Sequence, residues 1–268
     1  MTTTPYTSPI PVRRAHLGDA VASEWTKMRS LRSTVWTLGV MIALVAGLGV
    51  LLALMIGEIP PEEHGGGSVL GLGALGMLLA TVCVITLGVL TITSEFGTGM
   101  IRTTLTACPS RSRVLTAKAI VFFVLVFGTT TLVSAFTAVA QSAILGTAGG
   151  ASAGQWTRVT VGVGLFMACL GLTSLAVGAV VRHSAGSITT MIGLVLLPYV
   201  LAIGLYTQEL SELRTALVVH SVPALLSALY ADGVDTRTPS GWEPLWIMMG
   251  VAAVALGGAY AALARRDV

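Results

Sequence analysis

The chain has 268 residues, of which 54% are hydrophobic and only 10% charged, where soluble domains carry roughly 25% charged residues. With a mean hydropathy of +0.86, this composition excludes a soluble globular protein. The net charge of +3 does not point to nucleic acid, because the basic excess sits in loops that face anionic lipid headgroups.

The first 34 residues are mostly polar and too long for the basic region of a cleaved signal peptide, so the first apolar run is expected to stay in the membrane. Within this tail Leu17, Ala20, Val21, Trp25, Met28, Leu31 and Val35 follow helical spacing on one face. Asp19, Ser23, Thr26, Lys27, Arg29 and Ser30 occupy the other. The pattern predicts an interfacial helix, with Trp25 and Trp36 at headgroup level and Lys27, Arg29 and Arg32 facing anionic lipid. Glu24 is the odd member on the apolar arc, either as a surface pair with Lys27 or as a contact to another chain.

Six apolar segments follow, at 35–56, 69–93, 119–145, 159–181, 188–206 and 245–264, none with a charge in its interior. Each is long enough to cross a hydrocarbon core roughly 30 Å thick, which takes about 20 helical residues. No repeat or linker divides them. The fold class is therefore all-α and polytopic, with a tail and interfacial helix over 1–34 and one six-span domain over 35–268. Gly39, Ala43 and Gly47 in the first span, and Ala253, Gly257 and Ala261 in the last, form small-residue strips that predict close helix packing. Pro198 predicts a kink in the fifth span. Cys83, Cys108 and Cys169 lack any C-x-x-C partner and read as small apolar side chains rather than disulfide or metal ligands.

Between the second and third spans lies the most specific segment. Glu95 closes the second span, Gly97 and Gly99 allow a change of direction, and 100–107 has room for two helical turns. Pro109 and Ser110 then break the chain before Arg111, Arg113 and Lys118 at the membrane surface. Twelve of the 15 basic residues fall on this side of the spans and three, Arg158, Arg214 and Arg237, on the other. The acidic side collects Glu58, Glu62, Glu63, Glu209, Glu212, Asp232, Asp235 and Glu243. Positive residues stay inside, so both termini are expected to be cytoplasmic in a multi-pass plasma-membrane protein.

Glu95-Phe96-Gly97-Thr98-Gly99-x-x-Arg102-Thr103-Thr104-Leu105, followed by Pro109-Ser110-Arg111-x-Arg113-Val114-Leu115-x-x-Lys118, resembles the permease subunits of type-2 export ATP-binding-cassette transporters, actinobacterial members above all. Glu24-Trp25-x-Lys27-x-Arg29-Ser30-Leu31-Arg32 is similar to the interfacial entry helix of that family, and Met28 lies on the same helix. The resemblance implies a homodimer or related heterodimer that forms an export pathway and is driven by a separate ATPase. It implies that 100–107 is a coupling helix, with Glu95, Gly97, Thr98, Met100, Ile101, Arg102, Thr103, Thr104 and Leu105 serving the ATPase contact. It further implies that short external helices occupy the segment 207–244, where an ordinary loop is the alternative.

The chain should hydrolyse no ATP itself. Its only lysines, Lys27 and Lys118, follow Thr26 and Ala117, so there is no Gly-Lys-Ser/Thr phosphate loop, and ATP and Mg belong to the partner. No catalytic, cofactor or metal residue is expected. Two other classes stand as alternatives. An intramembrane hydrolase would use Glu62, Glu63 and His64, yet no H-E-x-x-H is present and no serine-histidine pair lies at membrane depth. An ion-coupled secondary transporter ordinarily needs an ionisable residue within the bundle, where this sequence offers only Gln141, hydroxyls and backbone.

Overall fold

The computed structural model of the protein describes residues 16–58, 69–108, 110–146, 151–205, 207–231 and 239–265. Among them every regular element is helical. An amphipathic helix α1 (Leu17–Ser30) leads through Leu31 into α2 (Arg32–Gly57). A 3₁₀ turn then enters α3 (Gly73–Gly97), which is followed by the short α4 (Met100–Ala107) and the long α5 (Arg111–Ile144). A one-turn α6 (Ala153–Thr157) continues through a π turn at Arg158–Gly162 into α7 (Val163–Val181), and α8 (Ser184–Gly204) comes next. Two short helices, α9 (Ser211–Val219) and α10 (Val222–Tyr230), precede α11 (Glu243–Arg265).

Among the described residues, six helical stretches are long and apolar enough to cross a membrane, and each contains or closely overlaps one expected span. The helices outrun the apolar runs. The second continues to Gly97 and the third begins at Arg111, so Glu95 and Lys118 sit in helix rather than in the loop between them. α8 runs unbroken through Pro198.

The fourth span is the centre of the bundle. Of its most apolar window 78% is buried, against 22% for the first, fifth and sixth spans. Around it pack α3, α5, α8 and α11, while α2 lies outside against α3 and α5. Contact is closest where glycine replaces a side chain. A Cβ on Gly88 would lie 2.5 Å from the carbonyl oxygen of Gly171, and one on Gly76 would lie 2.9 Å from Cα of Val45. With no hydrophobic drive between helices in lipid, such backbone approach is what holds them together.

Those are not the strips expected from the sequence. Gly39, Ala43, Gly47, Ala253, Gly257 and Ala261 all lie exposed on the outside of the single chain, and a Cβ at Gly39, Gly47 or Gly257 would meet nothing. Periodicity finds a stripe but not the face it presents.

The π turn is also used for packing. Ser134 Oγ on α5 donates 2.6 Å to the carbonyl of Val159, satisfying a backbone group in a stretch where the regular ladder is interrupted. Two turns further along α5, Gln141 Nε2 donates to the carbonyl of Gly49 at 3.1 Å. This amide therefore serves as glue between α5 and α2.

Within segment 207–244, residues 207–231 are largely helical rather than a plain loop. α9 and α10 meet at 65°, the geometry of a broken span or re-entrant pair. Leu225, Leu226, Leu229 and Tyr230 of α10 are buried against α3, α7 and α11. Ser221 caps α10 by accepting from the amide of Ala224 at 3.4 Å. Glu62, Glu63, His64, Pro109, Asp232, Asp235 and Arg237 lie outside the described residues.

Candidate functional site

At the end of the bundle where α1 lies, four charges meet. Lys118, seven residues into α5, donates 2.7 Å to Oε2 of Glu24 on α1 and 2.7 Å to Oε1 of Glu95 near the end of α3. Lys27, one turn after Glu24, donates 2.8 Å to Oε1 of Glu24 and 2.9 Å to the same Oε1 of Glu95. The carbonyl of Thr91 lies 3.5 Å from Lys118 Nζ. Glu24, Glu95 and Lys118 are only 4%, 6% and 2% exposed.

Two carboxylates and two ammoniums cancel, which is the condition under which charges tolerate burial. Burial works to lower the pKa of Lys27, but hydrogen bonds and charge from Glu24 and Glu95 outweigh it and hold the ammonium above its ordinary value. Oε2 of Glu95 is buried without a hydrogen-bond partner. The cluster ties α1 to the ends of α3 and α5.

This corrects two expectations. Glu24 does pair with Lys27, but its second oxygen is taken by Lys118, 94 positions away. Lys118 does not share the partial exposure of Arg111 and Arg113; it is among the most deeply buried large side chains of the described residues. The inward face of α1 is accordingly Val21, Glu24 and Met28, while Leu17, Trp25 and Leu31 of the expected apolar arc are exposed, and Arg29 and Arg32 face outward. A signal was available. Glu24 on an apolar arc and Lys118 against an apolar run are opposite charges, each out of place.

α4 hangs from the same cluster. Gly97 ends α3 in helical conformation, and the reversal is made at Gly99 alone, whose φ of 72° lies in the left-handed region that favours glycine. Thr98 fills the turn, its amide reaching the carbonyl of Ser94 at 3.1 Å. Ile101 turns inward and is 9% exposed, facing a small apolar gap with Phe96, Val114 and Leu115. Met100 and Thr103 are exposed and Thr104 half-buried. The side chains of Arg102 and Leu105 lie outside the described residues. The nine residues expected to serve a partner therefore divide: Glu95 is taken up in the buried cluster, Ile101 packs α4 inward, and Gly97, Thr98, Met100 and Thr103 present an outer surface.

Phe96, next to Glu95, lies under the guanidinium of Arg182 at 5.2 Å. On the other side of α4, Arg111 Nη1 donates 3.2 Å to the carbonyl of Leu263 near the end of α11. The helix ends around α4 are thus cross-braced.

A model of an ABC-2 family transporter protein matches residues 20–208, from the cluster on α1 through all but the last span. The chain belongs to that family. As an ABC-2 transporter membrane protein it is a multi-pass permease subunit, and membership implies association with an ATP-binding-cassette subunit. No curated protein matches the chain.

Proposed function

We propose that this ABC-2 permease is the transmembrane half of an ATP-driven exporter of the plasma membrane, with both termini cytoplasmic, working as a dimer with α4 docked on a separate ATPase. ATP and Mg then sit on that partner, and the permease binds neither. The observation that carries this reading is the placement of α4: an eight-residue helix offset from the bundle end, with Met100 and Thr103 outward and Ile101 inward.

Force applied to α4 has a defined route. Its only covalent path to α3 is Thr98-Gly99, and two residues before Gly97 stands Glu95 in the buried cluster. Because Glu95 is bonded to Lys118 of α5 and Lys27 of α1, a displacement of α4 is passed to three helices together rather than absorbed by one. The cluster lies at the bundle end, whereas an ion-coupled carrier places its coupling residues near the bilayer midplane. The exposed strips at Gly39, Ala43, Gly47 and at Ala253, Gly257, Ala261 offer flat faces for a second copy.

The test is co-purification of the ATPase with permease variants, alongside transport. Met100→Asp and Arg102→Ala should lose the ATPase by roughly 30-fold or more, since removing one side of a desolvated contact costs about 2–5 kcal/mol. Glu95→Ala should retain ATPase binding but uncouple transport, and Arg237→Ala should do neither. Unchanged binding and export in Met100→Asp and Arg102→Ala would end the α4 assignment.

A further inference from the structure

Beside the charge cluster, where α1 turns into α2 and both face α3, lies an open groove of about 500 Å³, within the roughly 300–1,000 Å³ of small-molecule sites. Its walls are apolar at Leu31, Leu87 and Leu90, and its polar end is formed by the four charges. Among the hydroxyl residues that line it are Ser30, Thr91, Ser94 and Thr98.

Each of these hydroxyls already donates its proton to a helix carbonyl. Ser30 donates to Lys27 at 3.0 Å, Thr91 to Leu87 at 2.7 Å, Ser94 to Leu90 at 2.7 Å and Thr98 to Ser94 at 2.8 Å. What they offer an occupant is therefore acceptor lone pairs, which call for N–H donors. Lys27 supplies the complementary group: two of its three N–H donors go to Glu24 and Glu95, leaving one for an anion. Because the four charges cancel, neither a lone anion nor a lone cation gains net attraction. A zwitterion on an apolar tail matches the groove at both ends.

We propose that the groove holds one molecule of a membrane phospholipid bearing a primary amine, phosphatidylethanolamine. Its ammonium donates to the hydroxyl oxygens, its phosphate takes the remaining N–H of Lys27, and an acyl chain lies along Leu31, Leu87 and Leu90. The amine decides between zwitterions, since phosphatidylcholine has the same charges and no N–H to donate.

The experiment is native mass spectrometry of the full-length protein in detergent doped with equimolar phosphatidylethanolamine, phosphatidylcholine and phosphatidylglycerol. One phosphatidylethanolamine per chain should be retained about tenfold over either rival, the factor expected of one charge-assisted hydrogen bond. Leu90→Trp, which fills the groove, should abolish retention. Ser94→Ala, an exposed change that leaves the fold alone, should lessen the preference over phosphatidylcholine while sparing total lipid. Equal retention of all three lipids by the wild type would overturn the proposal, and so would retention of phosphatidylglycerol alone. Binding of free phosphoethanolamine as tightly as the intact lipid would show a headgroup site without a chain, and would overturn it as well.

Discussion

Replacing Lys118 by methionine keeps most of the side-chain volume and removes the one ammonium that is wholly buried. At an effective dielectric of about 20, a pair of charges about 4 Å apart is worth about 4 kcal/mol, and Lys118 makes two such pairs, with Glu24 and Glu95. Against this stands a desolvation cost of several kcal/mol for the ion. Experience with broken buried pairs places the net loss at about 3–5 kcal/mol, because the abandoned carboxylates stay buried. At about 2–4 °C per kcal/mol, the melting temperature in detergent should fall by about 6–20 °C, followed by tryptophan fluorescence or by monodispersity after heating. Lys27→Gln removes a charge whose side chain is 30% exposed, and should cost no more than about 1 kcal/mol. Adding Glu24→Gln to Lys118→Met should recover part of the loss, since the remaining Glu95 and Lys27 are again neutral together. A Lys118→Met protein that melts within about 2 °C of the wild type would refute the view that the cluster holds α1 to the bundle.

Gly88→Ala places a methyl 2.5 Å from the backbone oxygen of Gly171 and should destabilise by about 1–3 kcal/mol, whereas Gly47→Ala, which meets nothing within 4 Å, should be silent in the monomer's melting curve. The raised pKa of Lys27 predicts that its stabilisation is complete below the unfolded lysine value of about 10.4 and is lost as pH rises through the higher folded value. Melting curves should therefore drop less steeply above pH 10 in Lys27→Gln than in the wild type. For topology, a cysteine at Thr103 should be shielded from an impermeant thiol reagent in intact cells, while one at Glu212 should react; the opposite pattern would invert the orientation.

Much of the architecture was legible in the chain because it is local. A run of about 20 apolar residues fixes a span wherever it occurs, so all six spans were found, and Gly99 with Pro109 and Ser110 marked the ends of α4. The split of basic residues, twelve against three, likewise needs no tertiary information. The residues around Glu95 and Lys118 were flagged, but the bond from Lys118 to Glu24 was not: the sequence shows two opposite charges out of place, and only the fold brings position 24 to position 118.

Tertiary structure decided which face of each helix is inside. In water a polar face betrays the outer side of a helix, but a lipid-facing surface is as apolar as a core, so composition around the helix carries little direction. That is why the strips at Gly39 and Gly257 turned outward while Gly76, Gly88 and Gly171 took the close contacts. It is also why α10 could be read as a loop: nine residues are too few to signal a span, and only the bundle around them makes their burial favourable. The buried charges follow the same logic in reverse. A lone Glu24 or Lys118 would be expelled from such a place, and only a fold that delivers both, with Glu95 and Lys27, makes the site stable.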